Sequence, residues 1–303
     1  MPPIRQSNKG WGAEFDRIAR GELASSTEAR LKELVGWGGF SSFMTPAALA
    51  IAQDAEIEPV GQVVGLSIGA IRRGYLRTTR RGQGRVRIGV PRWREYTGAQ
   101  ASWTELRRRA LARLRQQATM LGANAVVGVS AERELESFDA EGIQTGHMRF
   151  FGTAARVRAW SRDTQPVVTL ASPQELWSML RAGLRPVGIA GGFAAVETLP
   201  STATVFASLA RPRRTPNVEL PDLTESVYEV RRLAMERLVA DARSLEADGL
   251  LGVDLKLEGD DVGRSRLPGR TVSVHVLASA VRRTRAAVVG PEPVLTVSDG
   301  GSG

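Results

Sequence analysis

The chain has 303 residues, 42% of them hydrophobic and 24% charged, which is typical of a soluble globular protein with room for about two domains. It contains no cysteine, which excludes disulfides, thiolate metal sites and cysteine nucleophiles. Its 41 basic and 32 acidic residues give a net charge of +9. The lack of cysteine and of an apolar signal segment favours a cytoplasmic protein.

The first 40 residues predict a helical extension, because WGAEFDRIARGEL and STEARLKELVGW place apolar residues at helical spacing. The next stretch, Leu34–Gln53, has no charge over 20 residues. It nevertheless contains three glycines and a proline. We therefore predict a loop followed by a buried helix, and no membrane span.

A second pattern occurs twice along the rest of the chain. Thr45-Pro46 and Ser172-Pro173 each predict the start of a small helix, because a hydroxyl residue is followed by proline. Each start is followed by a strand, a long connection, a helix and two strands. The strands predicted on either side of the long helices are Pro59–Ile71, Met148–Val157, Pro186–Val196 and Thr271–Val281.

The repetition is clearest in LGANAVVGV and LEADGLLGV. When Ser102–Val129 is aligned with Ser226–Val253 without gaps, 12 of 28 positions are identical. Upstream, PVG at residue 59 aligns with PVG at residue 186. The repeated unit therefore spans roughly 120 residues, and the chain contains it twice.

Both copies predict a helix that begins with a capping box, formed by Ser102 with Glu105 and by Ser226 with Glu229. Each helix has an apolar stripe spaced for one face. The stripe residues are Leu106, Ala110, Leu114, Ala118 and Leu121 in the first copy, and Val230, Ala234, Leu238, Ala242 and Leu245 in the second.

Two glycines, Gly128 and Gly252, lie inside the strands that follow these helices. A glycine within a strand marks a bulge, a close approach of another backbone, or packing room against the helix. We favour packing room. We treat both glycines, with the four capping-box residues, as structural positions.

Together, PVGQVVG, the LGANAVVGV box and the closing FFGTAARV resemble the YbjQ family, also called heavy-metal-binding domain proteins. PVGIAGG, LEADGLLGV and VLASAV resemble a diverged second member. The resemblance implies α+β architecture with two tandem two-layer, dodecin-like β-α-β-β domains. It also implies a pentameric ring in which sheets of neighbouring subunits pair, and it implies no enzymatic activity. The predicted divisions are residues 1–40 (extension), 41–162, 163–285 (two domains) and 286–303 (flexible tail).

The residues themselves predict no metal site and no cofactor. Soft metals require thiolate or imidazole ligands, and only His147 and His275 are available. Glu132, Glu134 and Glu136 alternate along one strand, which offers oxygen ligands for hard cations but is typical of a solvated face.

One basic segment distinguishes the first copy from the second. Between residues 72 and 94 there are nine arginines and no acid, with aromatic residues interleaved. Such a segment could bind nucleic acid or another anionic partner, or form a solvated arm. The candidate contacts are Arg72, Arg73, Arg77, Arg80, Arg81, Arg85 and Arg87.

The duplicated unit and the resemblance to the YbjQ family therefore predict a non-enzymatic protein that assembles with itself into a scaffold or a ring that binds a ligand or partner, and the resemblance implies fivefold symmetry. Two alternatives stay open. One is a module that binds metal ions or small anions. The other is nucleic-acid binding through the basic segment.

Overall fold

A computed structural model describes residues 8–71, 93–138, 143–161, 165–198, 219, 221–262 and 269–284. These residues form an α+β fold with six helices and eight strands in two sheets. None of the described helices combines the length and the apolar character needed to cross a membrane.

The elements follow the predicted order, with the first half of the chain ending at residue 161. Its elements are α1 (Asn8–Ala19), α2 (Ser25–Trp37), α3 (Pro46–Asp54), β1 (Ile57–Ile71), β2 (Trp93–Glu95), α4 (Thr97–Met120), β3 (Ala125–Phe138) and β4 (Ile143–Val157). The second half contains β5 (Val167–Val168), α5 (Pro173–Arg181), β6 (Leu184–Thr198), α6 (Pro221–Ser244), β7 (Gly249–Val262) and β8 (Gly269–Arg283). All four predicted long strands are confirmed, each extended by a few residues.

Each half forms an antiparallel sheet of three long strands, and each sheet is completed by a short strand from the other half. The first sheet has the order β1-β4-β3-β5, and the second has the order β2-β6-β8-β7. β2 precedes α4 in the first half but pairs with β6 of the second sheet. β5 pairs in parallel with β3 of the first sheet. The two halves are therefore interlocked by backbone hydrogen bonds.

The long helices pack on the sheets through the predicted stripes. Leu106, Ala110, Leu114 and Ala118 of α4 are buried, as are Val230, Ala234, Leu238 and Ala242 of α6. α4 contacts both β1 of the first sheet and β6 of the second, whereas α6 contacts β6 and β8. The layers are therefore ordered first sheet, α4, second sheet, α6, so that α4 lies between the two sheets.

The predicted capping boxes are wrong. α4 begins at Thr97 and α6 at Pro221, five residues before the predicted caps. Ser102 and Ser226 consequently lie inside the helices, where their hydroxyls donate to Gly98 O and Leu223 O. The two predicted glutamate partners instead form ion pairs on the helix surface, with Arg108 and Arg109 in α4 and with Arg232 in α6.

The small helices follow the prediction more closely. The Thr45 hydroxyl accepts from Ala48 N at the start of α3, with Pro46 as the first helical residue. Ser172 and Glu175 form a complete capping box at the start of α5. The prediction of helix starts at these two hydroxyl–proline pairs is confirmed.

Gly128 and Gly252 form the bulges of β3 and β7. Their φ angles are +60° and +61°, and a Cβ at either position would meet no atom within 4 Å. Pairing with the neighbouring strand shifts register between Val127 and Ser130 in β3, and between Leu251 and Asp254 in β7. The favoured interpretation, packing room against the helix, is wrong, because these glycines provide left-handed backbone for a bulge.

Close helix–sheet packing depends on other glycines. A Cβ at Gly65 of β1 would lie 2.1 Å from Ala110 O, and a Cβ at Gly192 of β6 would lie 2.1 Å from Ala234 O. The alanines of each stripe and these glycines together let the helix backbone touch the strand.

Candidate assembly interface

The contact between the two halves is an aromatic cluster between α4 and the second sheet. Trp103 of α4 and Phe193 of β6 lie with ring centroids 5.9 Å apart. The guanidinium of Arg133, from β3, lies 4.9 Å from the first ring and 5.5 Å from the second. Arg133 also forms an ion pair with Glu258 of β7. We call this contact the internal junction.

An ion pair between a buried arginine and a partly exposed aspartate lies at one side of the internal junction. Arg107 of α4 crosses to Asp241 of α6, with Nη2 2.8 Å from Oδ2. The same carboxylate oxygen accepts from Gly191 N of β6 at 2.8 Å. Burial lowers the pKa of Arg107 although Asp241 opposes this shift. The junction therefore contains a desolvated cation whose main stabilising partner is a single carboxylate.

His275 of β8 also lies in the internal junction. It is buried beside Phe193, with ring centroids 6.5 Å apart. Burial, followed by the positive charges of Arg133, Arg107 and Lys256, lowers the pKa of its imidazole to about 3. This histidine is a neutral core residue, in contrast to the surface placement typical of an isolated histidine beside a strand.

Some positions that correspond in the repeat alignment are buried in the second sheet but exposed in the first. In the second sheet, Phe193 and Ala195 are 5% and 4% exposed, because α4 covers them. The aligned residues of the first sheet, Leu66 and Ile68, are 38% and 51% exposed. The first sheet therefore exposes two apolar side chains at positions that are covered in the second sheet, and their partners on β4 are Arg149 and His147.

The strands that follow the two long helices, β3 and β7, also differ in exposure. Val129 of β3 is 4% exposed, whereas Val253, its counterpart in β7, is 48% exposed. Further along β7, Leu255 and Leu257 are also exposed. On α6, Tyr228 and Val239 point into solvent. We call the outer side of α6 with β7 the helix end, and the outer face of the first sheet the sheet end.

Helix α2 meets β1 at Gly61, where an added Cβ would lie 2.6 Å from Leu34 Cδ2. Gln117 of α4 clamps Val64, accepting from its amide at 3.2 Å and donating to its carbonyl at 2.6 Å. Arg30 of α2 lies 3.5 Å from the same Gln117 oxygen. Asp241 and Arg107 make the comparable contact at β6. The α2 contact leaves Leu66 and Ile68 exposed.

A second candidate site lies on the outer face of the first sheet. The carboxylates of Glu134 and Glu136 and the imidazole of His147 each offer a ligand atom, and these atoms lie within 4.8 Å of one another. Cross-strand pairing of β3 with β4 produces this cluster, because Glu134 is the direct partner of His147. His147 Nε2 lies 3.4 Å from Glu136 Oε2, while Arg149 pairs with Glu134 at 2.8 Å.

The predicted basic contacts fall outside this description. All seven arginines from Arg72 to Arg87 lie outside the described residues, as does the predicted tail at 286–303. The nucleic-acid hypothesis therefore stays a prediction. Glu132, Glu134 and Glu136 do share one strand face, but the sequence interpretation did not connect them with His147. The hairpin register of β3 and β4 is the signal that would have linked them.

Comparison with known proteins finds a matching family model for part of the chain and a relative that aligns with most of it. The YbjQ family model, described as "Putative heavy-metal-binding", matches residues 54–158, the region that contains β1, α4, β3 and β4. The predicted resemblance is confirmed for this half, and the second copy stays a prediction. A Mycobacterium tuberculosis protein named as an encapsulin nanocompartment protein is 26% identical over 256 residues. This alignment covers 81% of the present chain and 86% of the relative.

Proposed function

We propose that this protein is a non-enzymatic, cytoplasmic assembly subunit whose copies join head to tail into a homo-oligomer of five chains. Its two YbjQ-like units, residues 41–162 and 163–285, would follow the extension at 1–40 and precede the tail at 286–303. The assembled particle would serve as a scaffold or a ring that binds a partner. The name of the mycobacterial relative supports an assembly role.

One observation carries this proposal. The internal junction buries a sheet face against a helix, while apolar side chains are exposed at the corresponding positions of both ends. These are Leu66 and Ile68 at the sheet end, and Val253, Leu255 and Leu257 at the helix end. Exposed apolar side chains that are grouped on one surface favour an interaction site. In the second sheet, the face that corresponds to the sheet end is covered by α4. We therefore expect the sheet end of one copy to be covered by the equivalent helix, α6, at the helix end of another copy.

The proposal is tested by the mass of the native particle, measured by light scattering after size exclusion and by native mass spectrometry. The expected mass is five times the 32.7 kDa of one chain. Val253→Asp, which places a charge on the helix end, should lower this mass. Arg158→Asp is the control and should not, because Arg158 is an exposed residue beyond the end of β4 whose ion-pair partner is Glu56. A strictly monomeric particle at micromolar concentration would refute the proposal.

A second candidate function is divalent-ion binding by Glu134, Glu136 and His147. Two carboxylates and one imidazole are a donor set suited to ions such as Zn²⁺ or Mn²⁺, and less suited to thiophilic heavy metals. The family description and the spacing of the three donors favour this site. The second half has serine, Ser273, where the alignment places His147, so one site per chain is expected.

Calorimetric titration with Zn²⁺ tests this candidate. One ion per chain is expected, and His147→Gln should weaken binding at least tenfold. Glu132→Gln is the control, because this carboxylate lies on the same strand face but outside the three-donor cluster. The candidate fails if the native chain gives no heat, or if both variants bind equally well.

A further inference from the structure

Two short segments, residues 40–44 and 167–171, enter the two halves with the same hydrogen-bond pattern. In the first, the Thr153 hydroxyl lies 3.2 Å from Ser42 Oγ and accepts from Phe43 N at 3.0 Å. Met44 N then donates to Ser42 Oγ at 2.9 Å. The first segment is therefore anchored to β4 by side-chain hydroxyls.

The second segment repeats this pattern on β8. Thr169 Oγ1 lies 3.0 Å from Ser279 Oγ, which also accepts from Leu170 N at 3.1 Å. Ala171 N donates to Thr169 Oγ1 at 3.2 Å. Thr169, Leu170 and Ala171 thus stand in the second half where Ser42, Phe43 and Met44 stand in the first.

The second segment differs from the first because its other edge is paired. It runs parallel to β3, where Thr169 N donates to Val126 O at 3.0 Å. At the bulge, Gly128 N donates to Ala171 O at 2.7 Å and Val129 N donates to Thr169 O at 3.2 Å. The bulged edge of one sheet therefore receives a segment that is anchored on the other sheet.

β7 presents the same bulged edge. The first segment is extended but pairs with no strand among the described residues, although its Ser42 carbonyl accepts from Gln62 Nε2 at 3.1 Å. The pairing of β7 with β8 skips Gly252 and Val253, the counterparts of Gly128 and Val129. The side chains of Phe40 and Phe43, in the first segment, are about half exposed. Within the described part of this chain, no hydrogen bond joins the first segment to β7.

We propose that the segment at residues 40–44 of one copy adds, as a parallel strand, to the β7 edge of a second copy. This inference rests on the proposed assembly and names the surface that would carry it. The chain already makes this kind of contact once, between residues 167–171 and β3. Residues 40–44 and β7 are the equivalents of these two elements and do not contact each other within the described part of the chain, so a second copy is the partner that fits. Addition of an extended segment to a sheet edge is a recurrent mode of recognition.

The register of the new contact follows from the existing one. In the internal contact, Ala125 pairs with Val167 and Val126 with Val168. The alignment then places Phe40 opposite Gly249, and Ser41 opposite Leu250. Paired strands lie about 4.8 Å apart, which is within the Cα separation that a disulfide accepts.

The absence of cysteine makes this register directly testable. The double variant Ser41→Cys with Leu250→Cys is oxidised at micromolar concentration and separated by non-reducing electrophoresis. A ladder extending beyond the dimer is expected, because each chain then carries one donor and one acceptor thiol. Either single variant can form at most a dimer. Val126→Cys with Val168→Cys is the matched control, which should lose both thiols without any increase in mass.

Two measurements separate failure of this contact from failure of the assembly. The native mass of the reduced double variant reports whether copies associate at all and whether the variant is intact. An oligomer of normal mass that forms no disulfide ladder would overturn the edge contact. Binding of a segment of another protein to β7 would not rescue it, because the proposed partner is a second copy of this chain. A monomeric particle would overturn the proposed assembly together with the contact.

Discussion

Removing either partner of the Arg107–Asp241 pair should have unequal consequences. Arg107 is the more buried partner, with 9% of its side chain exposed against 32% for Asp241. Asp241→Ala leaves a desolvated cation without its carboxylate and leaves Gly191 N without its acceptor. Stranding a buried charge costs about 3–5 kcal/mol of unfolding free energy. Arg107→Ala leaves a partly solvated carboxylate that still accepts from Gly191 N, so we expect about 1–3 kcal/mol.

Urea denaturation at a fixed chain concentration measures both effects, since association would otherwise alter the apparent stability. The double variant should cost less than the sum of the two single variants, by about 0.5–3 kcal/mol. Arg231→Ala changes the corresponding but exposed residue of α6 and should stay within about 0.5 kcal/mol of the native chain. The reasoning is refuted if Arg107→Ala proves as costly as Asp241→Ala, because a stranded buried cation would then not be the main cause of the lost stability.

Other predictions concern glycine positions and the buried histidine. Gly65→Ala should cost about 3 kcal/mol or more of unfolding free energy, because its Cβ would meet the Ala110 carbonyl at 2.1 Å. Gly128→Ala has open space and should lose only the about 1–2 kcal/mol of a left-handed residue, so urea melts showing the reverse order would contradict the assigned packing. His275, with a folded pKa of about 3, stays neutral while its unfolded counterpart takes up a proton below about pH 6.5. Stability should therefore fall by about 2 kcal/mol between pH 7 and pH 5 on account of this residue, and His275→Gln should remove that slope. An unchanged slope in the variant would locate the titrating group elsewhere.

Local patterns in the sequence were sufficient for the architecture of each half. The apolar stripes predicted which faces of α4 and α6 are buried, since a period of three to four residues reflects packing that every helix must satisfy. The helix starts were less accessible. A serine followed by a glutamate three residues later also occurs inside a helix, and at α6 the better signal was Pro221 at the first helical position.

The arrangement of the halves had no local signal. β2 pairs with a strand about 100 residues away along the chain, and nothing in Trp93–Glu95 indicates which sheet it joins. The same holds for Arg133, which lies over the ring of Phe193 only because the second sheet lies against α4. The cluster of Glu134, Glu136 and His147 required the register of one hairpin, which periodicity alone does not fix.

The order sheet, helix, sheet, helix gives the chain two unlike ends, and this polarity restricts the assemblies it can form. A head-to-tail contact cannot pair two copies symmetrically, so repeating it yields either a closed ring or an open filament. Each copy contributes two sheets, so any ring built from whole chains contains an even number of them. A ring of five sheets is therefore incompatible with such a repeat, and a fivefold particle would contain ten.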